Sequence, residues 1–61
     1  MNIFQAFEAM NQGQVVRDIE GVWYKKDEQS GQLVESYDNG NKWIRTEEFK
    51  YGSVNDKWEL V

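Results

Sequence analysis

Neither a cysteine nor a histidine occurs among the 61 residues of this chain, so it must fold without covalent staples. A domain this short buries only about 60% of the surface its unfolded form exposes, which leaves a marginal core. Small domains compensate with disulfides, metals or partner subunits. The absence of thiols excludes disulfides and thiolate metal sites. The absence of imidazole removes the commonest metal ligand and the commonest general base. What remains is aromatic packing and association. Three Trp, three Tyr and three Phe supply the rings, and each buries roughly 150–250 Å². The expectation is one domain over residues 1–61, acting as a homo-oligomer.

Periodicity divides the chain at Gly13. Before it, Asn2 to Gln12 reads as a helix: Ile3, Phe7 and Met10 recur at i, i+4 and i+7, and Phe4 and Ala6 widen the stripe. Asn2 serves as N-cap, Gln5 completes a capping box, and Gly13 supplies the left-handed C′ residue. So short a helix is stable only when its stripe docks on a sheet, which makes Ile3, Phe7 and Met10 core candidates.

After Gly13 the pattern is strand-like. Gln14–Asp18, Val22–Lys26, Leu33–Tyr37, Lys42–Thr46 and Lys57–Val61 are the candidate strands, and Trp58 is expected in the core. Asn39-Gly40 is the strongest hairpin signal, because a type I′ turn needs positive φ at both central residues. That turn sets Tyr37 opposite Lys42, Ser36 opposite Trp43 and Val34 opposite Arg45. One hairpin face then carries Val34, Ser36, Trp43 and Arg45. The other carries Leu33, Glu35, Tyr37, Lys42, Ile44 and Thr46. Neither is cleanly apolar, so the sequence leaves open which one meets the helix. Thr46-Glu47-Glu48 opens a short helical turn, anchored by Phe49 and Tyr51 and ended by Gly52. The fold class is therefore α+β: one N-terminal helix packed on a small antiparallel β-meander of four to five strands, with a short helical turn before the last strand. A small SH3-like barrel is the architectural alternative.

Charge narrows the partners. Eleven acids against seven bases give a net charge of −4. Binding to a nucleic-acid polymer rests on a basic surface that releases counterions, so DNA and RNA are not expected as partners. An acidic surface can instead face a basic groove on another protein. No apolar run approaches the roughly 20 residues that span a bilayer. There is also no basic n-region followed by an apolar h-region, so no membrane partner and an intracellular location are expected.

Catalysis is poorly served. Nucleophilic triads lack their usual base. The carboxylate pairs Asp27-Glu28 and Glu47-Glu48 are sequence neighbours, which do not face each other in regular structure. No spacing matches an EF-hand or a phosphate loop. The expectation is a non-enzyme with no catalytic residue, no metal site and no cofactor. Binding is better served by Arg17, Trp23, Trp43 and Arg45. Arginine holds phosphate bidentately, and an indole face stacks on a purine. The competing assignment places the Trp residues in the core or a dimer interface and pairs the Arg residues with Glu35 or Glu47.

The words Phe4-Gln5-Ala6-Phe7-Glu8-Ala9-Met10, Gly13 and Val16-Arg17 resemble the opening of a family of small phage and prophage proteins, the Thoeris anti-defence sponges. Asp56-Lys57-Trp58-Glu59-Leu60-Val61 is similar to that family's closing strand, and Thr46-Glu47-Glu48-Phe49 to the turn before it. The two blocks cover about half the chain. The resemblance implies a viral, oligomeric anti-defence protein of the host cytoplasm. It would sequester a nucleotide-derived immune signal, such as a cyclic ADP-ribose isomer or a cyclic dinucleotide, without cleaving it. The alternative reading is a small acidic inhibitor that binds a host defence protein directly.

Overall fold

The computed structural model describes residues 1–47 and 57–61. The chain opens with α1 (Ile3–Asn11), and both halves of the expected capping box are present. Asn2 Oδ1 accepts the Gln5 N–H at 2.8 Å, and Gln5 Oε1 accepts the Asn2 N–H at 2.9 Å. At the other end the Gly13 N–H reaches the Met10 carbonyl at 3.0 Å and the Gln14 N–H reaches that of Ala9 at 3.1 Å. Gly13 sits at φ 87. These two bonds form a Schellman closure, which satisfies carbonyls that the helix itself leaves unpaired.

Five strands follow: β1 (Val16–Arg17), β2 (Trp23–Lys26), β3 (Leu33–Ser36), β4 (Ile44–Arg45) and β5 (Glu59–Leu60). All pairings are antiparallel, in the spatial order β4-β3-β2-β1-β5. The first four strands form a meander, and β5 returns beside β1. Among the described residues the sheet is open, with β4 and β5 as its edges, so the helix-backed arrangement holds and not a closed barrel. Each expected strand is present, trimmed at its ends. The helical turn expected before β5 lies mostly on residues outside those described. No helix among the described residues is long and apolar enough to cross a membrane.

The Asn39-Gly40 turn sets the sheet's register. Both residues have positive φ, 60 and 87, as a type I′ turn requires. The resulting ladder pairs Val34 with Arg45 and Glu35 with Ile44. Successive side chains alternate across a sheet, so this register decides which residues meet the helix. Val16, Tyr24 and Leu33 lie on the helix side and contribute to the core or pack against it. The hairpin face carrying Leu33, Glu35 and Ile44 is therefore the one turned toward the helix layer.

The core holds Ala6, Ala9, Met10, Val16, Tyr24 and Trp58, with Met1, Ile3, Val22 and Leu33 packed around it. Trp58 is buried as expected, its ring 5.4 Å from that of Tyr24 and tilted by 59°. The helix corrects one expectation. Phe4 is 79% exposed and Phe7 38% exposed, while Ala6 is fully buried. At about 100° per residue, Ala6, Ala9, Met10 and Ile3 share one arc, and Phe4 falls nearly opposite. Trp58 and Tyr24 already fill the space between the layers. The helix contact surface therefore needs alanine methyls, and a phenyl ring there would hold the helix away.

Between β1 and β2, Asp18 organises the turn. Only 7% exposed, it accepts the N–H groups of Glu20 and Val22 at 2.9 Å each and the Tyr24 hydroxyl at 3.3 Å. A buried carboxylate is tolerable when donors surround it in this way.

Candidate ligand-binding face

The pleat that sends Val16 and Tyr24 to the helix sends their neighbours to the opposite side. Arg17 pairs with Trp23 across β1–β2, Trp23 with Ser36 across β2–β3, and Lys25 with Val34, which in turn pairs with Arg45. Glu59 lies beside Arg17 on β5. Trp43, two residues before Arg45, belongs to the same side. All four residues singled out from the sequence, Arg17, Trp23, Trp43 and Arg45, thus share the helix-free face.

Contacts across this face agree with the register. The Lys25 ammonium sits 4.4 Å from the centroid of the Trp43 ring, a cation–π contact that spans β3 above Val34 and Ser36. Gly40 is wedged between the indoles. A methyl group at its Cα would lie 3.0 Å from Cζ3 of Trp23 and 3.6 Å from Cζ2 of Trp43. Beneath the turn, Ser36 is 1% exposed. Its hydroxyl donates to Asp38 Oδ1 and accepts the Gly40 N–H, both at 2.8 Å. Asp38 Oδ1 also takes the Lys42 N–H at 2.9 Å. The Lys42 amide, followed by the Ser36 hydroxyl, holds the Asp38 carboxyl below the usual carboxylate range. The two half-buried indoles are therefore held apart by a glycine in a turn tied down by side-chain bonds.

Arg17 makes an ion pair with Glu59 at 3.5 Å, not with Glu35 or Glu47. Both side chains are substantially exposed, so the pair is worth about 0–1 kcal/mol and is cheaply exchanged for another anion. Beside it an open cavity of about 430 Å³ has Arg17, Asp18, Ile19, Lys57, Trp58 and Glu59 among its lining residues. Arg45 is exposed and has no ion-pair partner among the described residues. By the same alternation Arg17, Lys25, Arg45 and Lys57 share this side with Glu59, Asp27 and Glu47, and Asp38 lies there at the Ser36 hydroxyl, in a chain whose total charge is −4.

Lys25 and Ser36 are members of the face that the sequence reading does not single out. Lys25 was legible, because it stands two residues after Trp23 in a strand and must share its side. Ser36 was placed opposite Trp43 by the turn, but nothing in its residue type marks it as a buried anchor. No protein-family model, curated protein or solved structure matches the chain.

Proposed function

We propose that this protein is a phage-encoded anti-defence sponge, which holds a nucleotide-derived immune signal on the helix-free face of its sheet and leaves the signal's bonds intact. The observation that carries this reading is the gathering of two indoles and four cations on one face of an otherwise acidic chain. Phosphates are drawn to Arg17, Arg45 and Lys25, and a base stacks on the exposed part of an indole. The face offers cations and π-surface. Such a face binds stoichiometrically and lowers the free concentration of the signal.

Assembly into a homo-oligomer belongs to the same proposal. Among the described residues the large apolar side chains of Ile19, Ile44 and Leu60 are all exposed. Covering them would relieve the marginal core of so small a domain.

A thermal-shift screen against cyclic ADP-ribose isomers, cyclic dinucleotides and linear nucleotides tests the reading. A ligand at a thousand times its dissociation constant stabilises by about 4 kcal/mol, which is a large rise in melting temperature. Arg45→Ala should weaken that response while leaving the unliganded melting temperature unchanged. The bound ligand should be recovered chemically intact after the protein is denatured. Absence of any shift across the panel would reject the sponge. A second reading then gains from the acidic surface that a net charge of −4 gives the chain. That surface suits direct inhibition of a basic host defence protein, and pull-down from host lysate identifies such a partner.

A further inference from the structure

We infer that Asn39 is a conformationally gated deamidation site, kept silent by the folded hairpin and opened when the turn comes apart. Asn-Gly is the dipeptide whose following residue hinders least the attack of a backbone nitrogen on the side-chain amide. In that reaction the Gly40 nitrogen gives up its proton to solvent base and forms a bond to Asn39 Cγ. The Cγ–Nδ2 bond breaks and ammonia leaves, which closes a five-membered succinimide. Water then adds to one of the two ring carbonyls. Opening at Cγ yields aspartate, and opening at the main-chain carbonyl yields isoaspartate. The net change is one water consumed and one ammonia released.

The fold opposes the first step in two ways. The Gly40 N–H is already donated to the buried Ser36 hydroxyl at 2.8 Å. Moving the Gly40 peptide toward Asn39 also drags its Cα along the Trp23 indole, where even a methyl group would sit only 3.0 Å from Cζ3. Asn39 itself is exposed and held at φ 60, so solvent base and water reach the site once the turn opens. The reaction rate thus follows the population of opened hairpin, which is a local property and not only a global one.

The product changes the binding face. Aspartate adds a negative charge one residue from Gly40, the residue that lies against Trp23 and Trp43. Isoaspartate inserts a methylene into the main chain of a two-residue turn, and so disturbs the register that aligns Val34 with Arg45. Deamidation therefore works as an irreversible mark on molecules whose hairpin has opened.

The test is incubation of the intact chain at mildly alkaline pH, followed by peptide mapping and isoaspartate detection. Parallel samples contain increasing urea. A Ser36→Ala variant is run beside them, with its fold checked by circular dichroism. The folded chain should react at Asn39 at least roughly tenfold more slowly than the unfolded chain, with the rate rising along the urea series as the turn opens. Folded Ser36→Ala should react faster than the parent. If that variant does not fold, the urea series on the parent alone decides the matter. Equal rates at Asn39 in folded and unfolded parent would overturn the inference, as would a folded Ser36→Ala no faster than the parent.

Discussion

Gly40 carries two separable constraints, and a matched glycine separates them. Gly21 and Gly40 share the same backbone angle, φ 87, but only Gly40 has neighbours within 4 Å of an added Cβ. Placing alanine in the left-handed region costs about 1–2 kcal/mol. Restricting the unfolded chain returns roughly 0.4–1 kcal/mol of that. Gly21→Ala should therefore destabilise by about 1 kcal/mol. Gly40→Ala bears the same backbone cost and must also push the Trp23 ring, whose Cζ3 and Cε3 lie 3.0 and 3.2 Å from the new carbon. Displacing a half-buried indole from its rotamer costs about 0.5–1.5 kcal/mol, so the total for Gly40→Ala is about 2 kcal/mol.

Urea unfolding of the two variants, followed by far-ultraviolet circular dichroism, measures the difference directly. A chain of this length has a total stability of only about 3–9 kcal/mol at 0.05–0.15 kcal/mol per residue. Both variants should stay folded with unchanged m-values, and Gly40→Ala should have the lower midpoint. Its near-ultraviolet spectrum should also change, because the ring that moves is a tryptophan. If Gly40→Ala costs no more than Gly21→Ala and leaves that spectrum unaltered, the indoles do not clasp the turn and the account of the binding face fails.

Asp18→Ala should destabilise by about 2–4 kcal/mol in urea titrations, because it leaves the amides of Glu20 and Val22 and the Tyr24 hydroxyl without their shared acceptor. Burial, reinforced by the Asp18 and Glu35 carboxylates, pushes the Tyr24 phenol above its usual range. A raised folded pKa means that the unfolded chain ionises first. Stability is then whole below about pH 10 and falls as pH climbs beyond it. Tyr24→Phe should flatten this alkaline decline in pH-dependent melting curves. On the helix, Phe4→Ser should change stability by less than about 0.5 kcal/mol, since an exposed site away from the core is usually neutral. Ala6→Leu should cost about 1–3 kcal/mol by overpacking, and reversed magnitudes in thermal melts would show that the rings, not the alanines, face the sheet.

The parts legible from sequence were those that local chemistry dictates. Asn2, Gln5 and Gly13 define both ends of the helix through bonds made within a few residues, and the structure contains those bonds. Asn39-Gly40 defines a register because positive φ at both positions permits little else. The helix face was not legible, because it depends on the layer opposite. The stripe of Ile3, Phe7 and Met10 is the more hydrophobic choice. Ile3 and Met10 of that stripe do meet the core, but with Trp58 and Tyr24 between the layers Ala6 and Ala9 complete the contact and Phe7 stays at its margin. Nor could residue types alone show that Ser36 would be buried beneath its turn. Its burial follows from two indoles on different strands folding over a glycine.

The same turn links fold to candidate function. A hairpin that slipped by one residue would exchange its two faces, sending Trp43 and Arg45 toward the helix and Ile44 away from it. Trp23 and Arg17, on β2 and β1, would stay where they are, and the cationic aromatic face would be divided. Gathering the four residues on one side therefore depends on Asn39 and Gly40 holding positive φ, on Ser36 holding the Gly40 amide, and on Asp38 holding that of Lys42. None of these groups needs to touch a ligand. Their contribution is to keep two half-buried indoles and the Arg45 guanidinium in one register with Arg17, so that an anion bearing an aromatic base meets charge and π-surface together.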